Sequence, residues 1–366
     1  MSPTRCFWDM TSRAPLGTAA REALLTALDT GWADPTRLYG EARKAQLLLD
    51  AAKESIAASL GVRADEIRFT PSVALARRRA LAGLVSVARQ PGSVVTSAVE
   101  HSAIIDAAQA FGHPVVEVGV GTDGQVNPND FVAACRPDTA LACLQIANQE
   151  VGTLQPVEVV SEGIAELGIP LVCDASAAAG YINIPPVWSV LTAAPESFGG
   201  PSGIGILGVR TGVRWNPSDF ADESTSVPLA TAAAIALEDS SRQAAQHATR
   251  VSALVDLIRT RVTAEIPDCL AVGHPIQRLP HVVTITCMYV DGETLVRELD
   301  RVGFSVASGS ACVADDLLPS HVLAAMGALT HGNLRIGLPW NVTIQDVERF
   351  MLELPRIVAE ARGKLL

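Results

Sequence analysis

Short apolar segments alternate with helix-forming segments along most of the chain, and no other feature of the sequence restricts the possible folds as much. The apolar runs are typical of buried β-strands, and the segments between them carry apolar residues at helical spacing. This alternation predicts an α/β fold with a mostly parallel, doubly wound sheet. The predicted strands are residues 93–96, 113–120, 141–145, 170–174 and 204–209, and the predicted helices are residues 45–60 and 102–111.

The pattern changes after the last of these strands. A helical segment runs from residue 229 to about residue 265, and a mixed α+β pattern follows it. The change predicts a large domain of residues 1–250 and a smaller α+β domain of residues 251–366. The strands predicted after residue 250 are residues 281–289, 304–306 and 333–337, and the helices are residues 292–302 and the segment from residue 343 onward.

Composition and charge indicate a globular protein and restrict its partners. The chain of 366 residues is 48% apolar and 18% charged, which is enough apolar sequence for a large core. A net charge of −11 disfavours binding to nucleic acid or to an anionic membrane surface. We expect the one dense basic run, Arg77–Arg78–Arg79, to be a solvated helix face. There is no apolar run of transmembrane length and no signal-peptide pattern, so a cytoplasmic location is expected.

The seven cysteines have a spacing that argues against a metal site and against a disulfide framework. No two of them form a CxxC pair, so no metal is predicted. Most lie in apolar runs and are expected to be small buried residues. Cys312 differs, because it ends the small-residue stretch SGSAC and precedes Asp315 and Asp316. We expect an accessible thiol there, with an ordinary loop cysteine as the alternative.

A series of sequence blocks resembles one protein family, the class V aminotransferase-like proteins of fold-type I, which use pyridoxal phosphate (PLP). The resemblance covers about residues 7–350 and is greatest to cysteine desulfurases of the NifS/IscS kind. It implies a fold-type I PLP-transferase-like large domain with a smaller C-terminal α+β domain. The blocks are VEHSAI, ANQEVGTLQP, VCDASAAAG, GGPSGIGILGVR, ASGSACVADDLLPSHVL and NLRIGL.

The resemblance implies two retained residues at the cofactor. His101 matches the family's histidine that stacks on the PLP ring and moves protons. Asp174 matches the carboxylate that keeps the pyridine nitrogen protonated. Each residue also has a structural alternative: Asp174 could cap a helix, and His101 could be a buried histidine whose hydrogen bonds are satisfied.

The resemblance also implies groups that bind or transform the substrate. Arg335 matches the arginine that pairs with the substrate carboxylate, although it could instead pair with a structural acid. Cys312 matches the nucleophile that accepts sulfur as a persulfide. Asn148 and Gln149 occupy the family's paired-asparagine position, and Gln149 replaces the asparagine that faces the cofactor.

Other positions depart from the family pattern. Ser197 stands in place of the Schiff-base lysine, and Glu196 stands in place of the adjacent phosphate-side histidine. Ala177 replaces the glutamine that meets the ring hydroxyl. Ala194 and the run Ser72–Val73–Ala74 replace phosphate-binding residues. The chain has only three lysines, Lys44, Lys53 and Lys364, all outside these blocks.

These departures matter because PLP is used through a lysine amine, and its phosphate needs donor groups. If Glu196 lines the phosphate cup, its carboxylate would repel the phosphate by an energy on the order of several kcal/mol. An exposed position of Glu196 on a rearranged loop would weaken that repulsion. The sequence therefore predicts a degenerate PLP site and no bound cofactor.

A retained fold with a degenerate cofactor site predicts a pseudoenzyme in sulfur transfer. Fold-type I sites form at dimer interfaces, so we expect a homodimer, or a heterodimer with an active cysteine desulfurase. A second hypothesis is a sulfur relay, in which Cys312 takes sulfur from a partner's persulfide for a sulfur acceptor protein. The alternative is an active cysteine desulfurase or lyase that binds PLP without a covalent link.

Overall fold

The structure, a computed structural model, describes residues 5–88, 92–216, 225–309 and 319–363. The strands in these ranges are β1 (Cys6–Phe7), β2 (Ile67–Thr70), β3 (Val94–Ser97), β4 (Val115–Val118), β5 (Leu141–Cys143), β6 (Leu171–Asp174), β7 (Val190–Ala193), β8 (Gly205–Val209), β9 (Cys269–Val272), β10 (Val282–Cys287), β11 (Phe304–Ser305) and β12 (Asn333–Gly337). The α-helices are α1 (Thr18–Thr30), α2 (Gly40–Leu60), α3 (Val73–Val85), α4 (Ser102–Ala110), α5 (Pro128–Ala134), α6 (Val157–Ala165), α7 (Val227–Glu265), α8 (Gly292–Arg301), α9 (His321–Ala325) and α10 (Ile344–Gly363).

A seven-stranded sheet in the order β2-β8-β7-β6-β5-β3-β4 forms the centre of the fold. Strands β7, β6, β5, β3 and β4 are parallel, and β8 is antiparallel to both of its neighbours. Consecutive residues of a strand, such as Val94 and Val95, belong to different hydrophobic clusters. Both faces of the sheet are therefore covered, and the predicted mostly parallel α/β fold is confirmed.

A second region of β-structure follows α7. Strands β12, β10 and β9 form an antiparallel sheet, and β1 pairs in parallel with β11. Trp8 packs with Phe304 and Phe350 at ring-centroid distances of 5.1 Å, so the amino-terminal strand is anchored among residues distant in sequence. The boundary near residue 250 falls inside α7, and the division into two domains stays a prediction.

The helices next to the carboxyl edge of the sheet begin at polar caps. The hydroxyl of Ser72 accepts a hydrogen bond from the N–H of Leu75 (3.2 Å) at the start of α3. The Nδ1 atom of His101 accepts one from the N–H of Ala103 (3.1 Å) at the start of α4. These bonds satisfy N–H groups that a helix cannot pair internally.

The prediction that the basic run is a solvated helix face is wrong for two of its three members. Arg78 is exposed, but Arg77 is 5% exposed and Arg79 is 6% exposed. Arg77 lies on the same face of α3 as the buried Leu81 and Leu84, at spacings of four and seven residues. Arg77 therefore points into the protein rather than into solvent.

The buried cysteines agree in part with the prediction. Cys6, Cys135, Cys143 and Cys173 are buried free thiols. Cys269 and Cys287 are also buried, but they form a disulfide between directly paired residues of β9 and β10. The expectation that Cys287 is simply a small buried residue is therefore wrong, and the argument from the cysteine count against disulfides fails for this pair. Within the described ranges, no helix is long and apolar enough to cross a membrane.

Candidate active-site cleft

The carboxyl ends of strands β3, β5, β6 and β7 meet along one edge of the central sheet, where ligands bind in folds of this kind. Asp174 is the last residue of β6. His101 follows β3, Asn148 follows β5, and a short 3₁₀ helix, Pro195–Phe198, follows β7. The structure thus brings Asp174, His101, Asn148 and Ser197 to the same edge.

Both carboxylate oxygens of Asp174 accept hydrogen bonds from other residues of the chain. Its Oδ2 accepts a hydrogen bond from Nε of Arg77 (2.9 Å) and lies 2.7 Å from Nη2 of the same guanidinium in an ion pair. Its Oδ1 accepts from the N–H (3.0 Å) and hydroxyl (2.6 Å) of Ser176 and from the hydroxyl of Thr192 (3.1 Å). Burial raises the pKa of this carboxyl, but Arg77, His101 and Ser176 together hold the pKa below its ordinary value. Asp174 is therefore an ionised partner of Arg77.

Glu100 is a second buried carboxyl next to this ion pair. Its Oε1 accepts hydrogen bonds from the hydroxyl of Ser97 (3.2 Å) and the N–H of Gln145 (2.6 Å). Burial is the main cause that raises its pKa to about 8, against the opposing effects of the Gln145 N–H and of Arg77. Asp174, Arg77 and Glu100 form one buried charge cluster. At neutral pH this cluster holds one carboxylate, one guanidinium and one protonated carboxyl.

His101 is held neutral by its surroundings. Burial and the nearby charge of Arg77 lower its pKa to about 4, and Asp174 opposes this effect. Its Nδ1 accepts a hydrogen bond from the α4 backbone, so the ring proton belongs on Nε2. The cap gives Nδ1 a structural role, and both the stacking and proton-transfer roles of His101 and its structural alternative stay predictions.

Asn148 and Gln149 have different environments. Asn148 is fully buried; its amide donates to the carbonyl of Val99 (3.1 Å), and its Oδ1 accepts from the N–H groups of Glu150 (2.8 Å) and Val151 (2.9 Å). These bonds shape the turn after β5. Gln149 is partly exposed at this turn. The assignments of Asn148 to substrate and Gln149 to cofactor stay predictions.

The 3₁₀ helix after β7 carries Glu196 and Ser197 in a constrained backbone. The carbonyl of Ser197 accepts a hydrogen bond from the Tyr181 hydroxyl (2.9 Å), and the carbonyl of Glu196 accepts one from the N–H of Ala14 (2.8 Å). The Oε2 atom of Glu196 is buried and has no hydrogen-bond partner among the described residues. Ala177 is partly buried in the turn after β6. The predicted cofactor roles of these positions are not tested by this geometry.

Arg335 lies on β12, and its Nη2 donates to the hydroxyl of Ser12 (2.7 Å). Its predicted role in binding a substrate carboxylate stays a prediction. Cys312 lies outside the described residues, so its predicted role as a persulfide carrier also stays a prediction.

Sequence reasoning missed Arg77, which contacts Asp174 directly, and Glu100, which lies beside the pair. Helical spacing relative to Leu81 and Leu84 was the available signal for Arg77. Glu100 lies directly before His101 in the VEHSAI block, but its burial depends on the chain packed around it.

The fold is that of fold-type I PLP enzymes and matches solved NifS-like structures. A NifS-like protein superposes with a TM-score of 0.89 at 23% identity, covering 97% of this chain and 100% of that one. A cysteine desulfurase of Thermococcus onnurineus superposes with a TM-score of 0.82 at 17% identity, covering 97% and 95% of the two chains. At these identities the structures establish the fold alone.

Sequence comparison establishes the family. The aminotransferase class-V model matches residues 22–229 and 216–350, and the chain belongs to that family. Cysteine desulfurase IscS 1 of Archaeoglobus fulgidus is 30% identical over 378 residues, covering 98% of both chains. A cysteine desulfurase of Cereibacter sphaeroides is 30% identical over 382 residues, covering 98% of this chain and 97% of that protein. The chain is cysteine-desulfurase-like over almost its whole length.

These comparisons contradict the expectation that the chain takes no cofactor. Its relatives are cysteine desulfurases, a PLP-dependent class, so PLP is the cofactor of this family. The described ranges contain no cluster of three or more His, Cys, Asp or Glu side chains suited to a metal ion.

Proposed function

We propose that this chain is a cysteine-desulfurase-like subunit that has lost the lysine-dependent PLP site and acts beside an active cysteine desulfurase in sulfur transfer. The observation that carries the proposal is the position of Ser197. Ser197 lies in the 3₁₀ helix that follows β7, and β7 pairs with β6, the strand that ends at Asp174. From the sequence resemblance, the family's lysine is expected at this position of the chain. Lys44 and Lys53 both lie on α2, far along the chain from the segment that contains Ser197. Lys44 is exposed and Lys53 is partly exposed.

The residues of this cleft do not fit PLP as the family uses it. When bound, PLP supplies an electron sink for a substrate amine. A serine hydroxyl cannot replace the amine that links the cofactor to the protein. If Glu196 lines the phosphate site, its buried Oε2, which has no hydrogen-bond partner among the described residues, offers an acceptor rather than a donor. Asp174 is already paired with Arg77. We therefore derive no catalytic step through PLP in this chain.

The sulfur-relay form of the proposal rests on Cys312 and needs no cofactor in this subunit. The thiolate of Cys312 would attack the terminal sulfur of a partner's cysteine persulfide. A new S–S bond forms on Cys312, the old S–S bond breaks, and the donor cysteine leaves as a thiolate. The exchange is balanced and needs no added oxidant or reductant.

A sulfide-release assay with L-cysteine and added PLP tests the proposal. We expect no turnover by this chain alone, because no lysine stands at position 197. Turnover together with a visible PLP absorbance band would overturn the proposal in favour of an active desulfurase that holds PLP without a covalent link.

The relay is tested by incubating the chain with an active desulfurase and L-cysteine. Mass spectrometry should find one added sulfur atom on the peptide that contains Cys312. The Cys312→Ser variant is the matched control and should gain none. Failure of the wild-type peptide to gain sulfur would reject the relay and leave only the role of a non-catalytic partner.

A further inference from the structure

We propose that Arg77 determines which groups this cleft accepts, because its guanidinium holds the place at which a protonated ring nitrogen would pair with Asp174. This inference deepens the proposed function and rests on it. It assigns a specificity role to a residue of α3 rather than to the loop that carries Ser197. It also predicts that a lysine at position 197 is not sufficient to restore covalent PLP binding.

The geometry supports a direct pairing of Arg77 with Asp174. Nε of Arg77 donates to Oδ2 of Asp174 (2.9 Å), Nη2 lies 2.7 Å from the same oxygen in an ion pair, and both side chains are 6% exposed. Nη2 of Arg77 also donates to the hydroxyl of Ser176 (3.2 Å). The remaining carboxylate oxygen already accepts hydrogen bonds from Ser176 and Thr192. No oxygen of Asp174 is left for a further cationic donor without displacing one of these groups.

The charges of Arg77, Asp174 and Glu100 disfavour binding of a second cation. Arg77 and Asp174 balance each other, and Glu100 is held protonated at neutral pH by its burial. A protonated ring nitrogen beside Arg77 would add a second positive charge next to the single carboxylate of Asp174, and Glu100 would have to give up its proton in a buried position to balance it. Buried charges without a partner are among the most destabilising groups in proteins.

The alternative is that Arg77 is only a structural ion pair and that the changed loop residues alone decide PLP binding. A variant in which family residues are reinstated, here called the restored background, distinguishes these two explanations. It carries Ala177→Gln, Glu196→His and Ser197→Lys, which return the family's side chains to three of the changed positions. Arg77→Asn is then added to it, and Arg78→Asn, a neighbouring exposed arginine of the same helix, is added in the matched control.

Covalent PLP is measured by visible absorbance and by mass spectrometry after borohydride reduction, which reports binding without requiring activity. We expect Arg77→Asn to raise PLP affinity about a hundredfold or more over Arg78→Asn, because a like charge near the ring is removed. PLP should also raise the melting temperature of the Arg77→Asn variant only, because the ring nitrogen then compensates Asp174.

The restored background without a change at Arg77 keeps the ion pair between Arg77 and Asp174. It therefore tests directly whether that pair prevents covalent PLP binding. Covalent PLP in that variant would overturn the inference while leaving the proposed function of the wild-type chain untouched. Equal binding by the Arg77→Asn and Arg78→Asn variants would also overturn it. If Arg77→Asn does not fold even with PLP, Arg77→Gln replaces it, and absence of PLP binding there counts against the inference. Desulfuration by the wild-type chain would instead reject the proposed function.

Discussion

Two buried carboxyl groups of the cleft have opposite ionisation, and the cause lies in their partners. Asp174 faces a guanidinium and is held ionised, with its pKa below the ordinary value despite burial. Glu100 accepts hydrogen bonds from neutral donors, and burial dominates its pKa. Side chains of the same chemistry thus differ because only one of them has a cation in direct contact.

This difference predicts a pH dependence of folding stability that Glu100→Gln removes. Glu100 has a pKa of about 8 in the folded chain and an ordinary pKa of about 4.5 when unfolded. Between these values the folded chain retains a proton that the unfolded chain releases, so stability falls as pH rises, and the loss is complete above the folded pKa. From about pH 6 to about pH 8, the wild type should lose about 2 kcal/mol relative to Glu100→Gln.

Urea unfolding at the two pH values measures this effect. The glutamine keeps an oxygen that can accept from Ser97 and Gln145, so the variant should fold. Glu158→Gln, on the exposed side of α6, is the matched control and should keep the wild-type dependence. The charged neighbours Asp174 and Arg77 are unchanged in both variants. Parallel pH profiles for the wild type and Glu100→Gln would contradict the prediction.

At the residue scale, sequence patterns located the cleft but not its internal pairing. Asp174 and His101 were found because each follows an apolar strand in a block with a family counterpart. The contact between Arg77 and Asp174 joins residues separated by 97 positions. Local patterns cannot give such a pair, because it depends on how α3 packs against the end of β6.

At the element scale, helix α3 is positioned by a close contact at a glycine. A Cβ atom on Gly83 would lie 2.0 Å from Nε1 of Trp215, far inside van der Waals distance. The N–H of Asn216 also donates to the carbonyl of Gly83 (2.9 Å). The segment after β8 is therefore seated directly on the backbone of the helix that carries Arg77.

Gly83→Ala should destabilise the fold although alanine favours helices by about 1 kcal/mol over glycine. The added methyl group must displace Trp215, and overpacking of this kind costs about 1–3 kcal/mol. Gly40→Ala is the control, because the nearest atom to its Cβ is Nη2 of Arg43 at 3.9 Å. Chemical unfolding should show a loss for Gly83→Ala and no loss for Gly40→Ala; a gain at both positions would contradict the packing argument.

Element types follow closely from local pattern, whereas element partners do not. The predicted helix at residues 229–265 is observed as Val227–Glu265, and the predicted strand at residues 333–337 is observed with those bounds. Strands β2 and β7 are not among the strands predicted from the sequence, although they have the same length of four residues as β3 and β6, which are. The Cys269–Cys287 disulfide depends on the register of β9 against β10, which composition does not specify.

At the scale of the whole molecule, large apolar side chains are exposed on helices α1 and α2 and in the connection between them. Among the described residues, Leu38 is 91% exposed and Trp32 is 67% exposed in the connection between α1 and α2. Leu25, Leu28, Tyr39 and Leu47 are also at least 47% exposed. Contiguous apolar patches mark interaction surfaces more often than single exposed apolar residues do.

We expect this surface to form the subunit interface that the proposed function requires. Light scattering after size exclusion should give twice the 38.4 kDa chain mass for the protein alone, or the mass of a pair when it is mixed with an active desulfurase. Trp32→Glu and Leu38→Glu should weaken either pair, because each places a charge on an apolar contact. Ile276→Glu, at a site 82% exposed elsewhere, should not. A monomer in both experiments would remove the partner role, and pairing unaffected by Trp32→Glu and Leu38→Glu would place the interface on another surface.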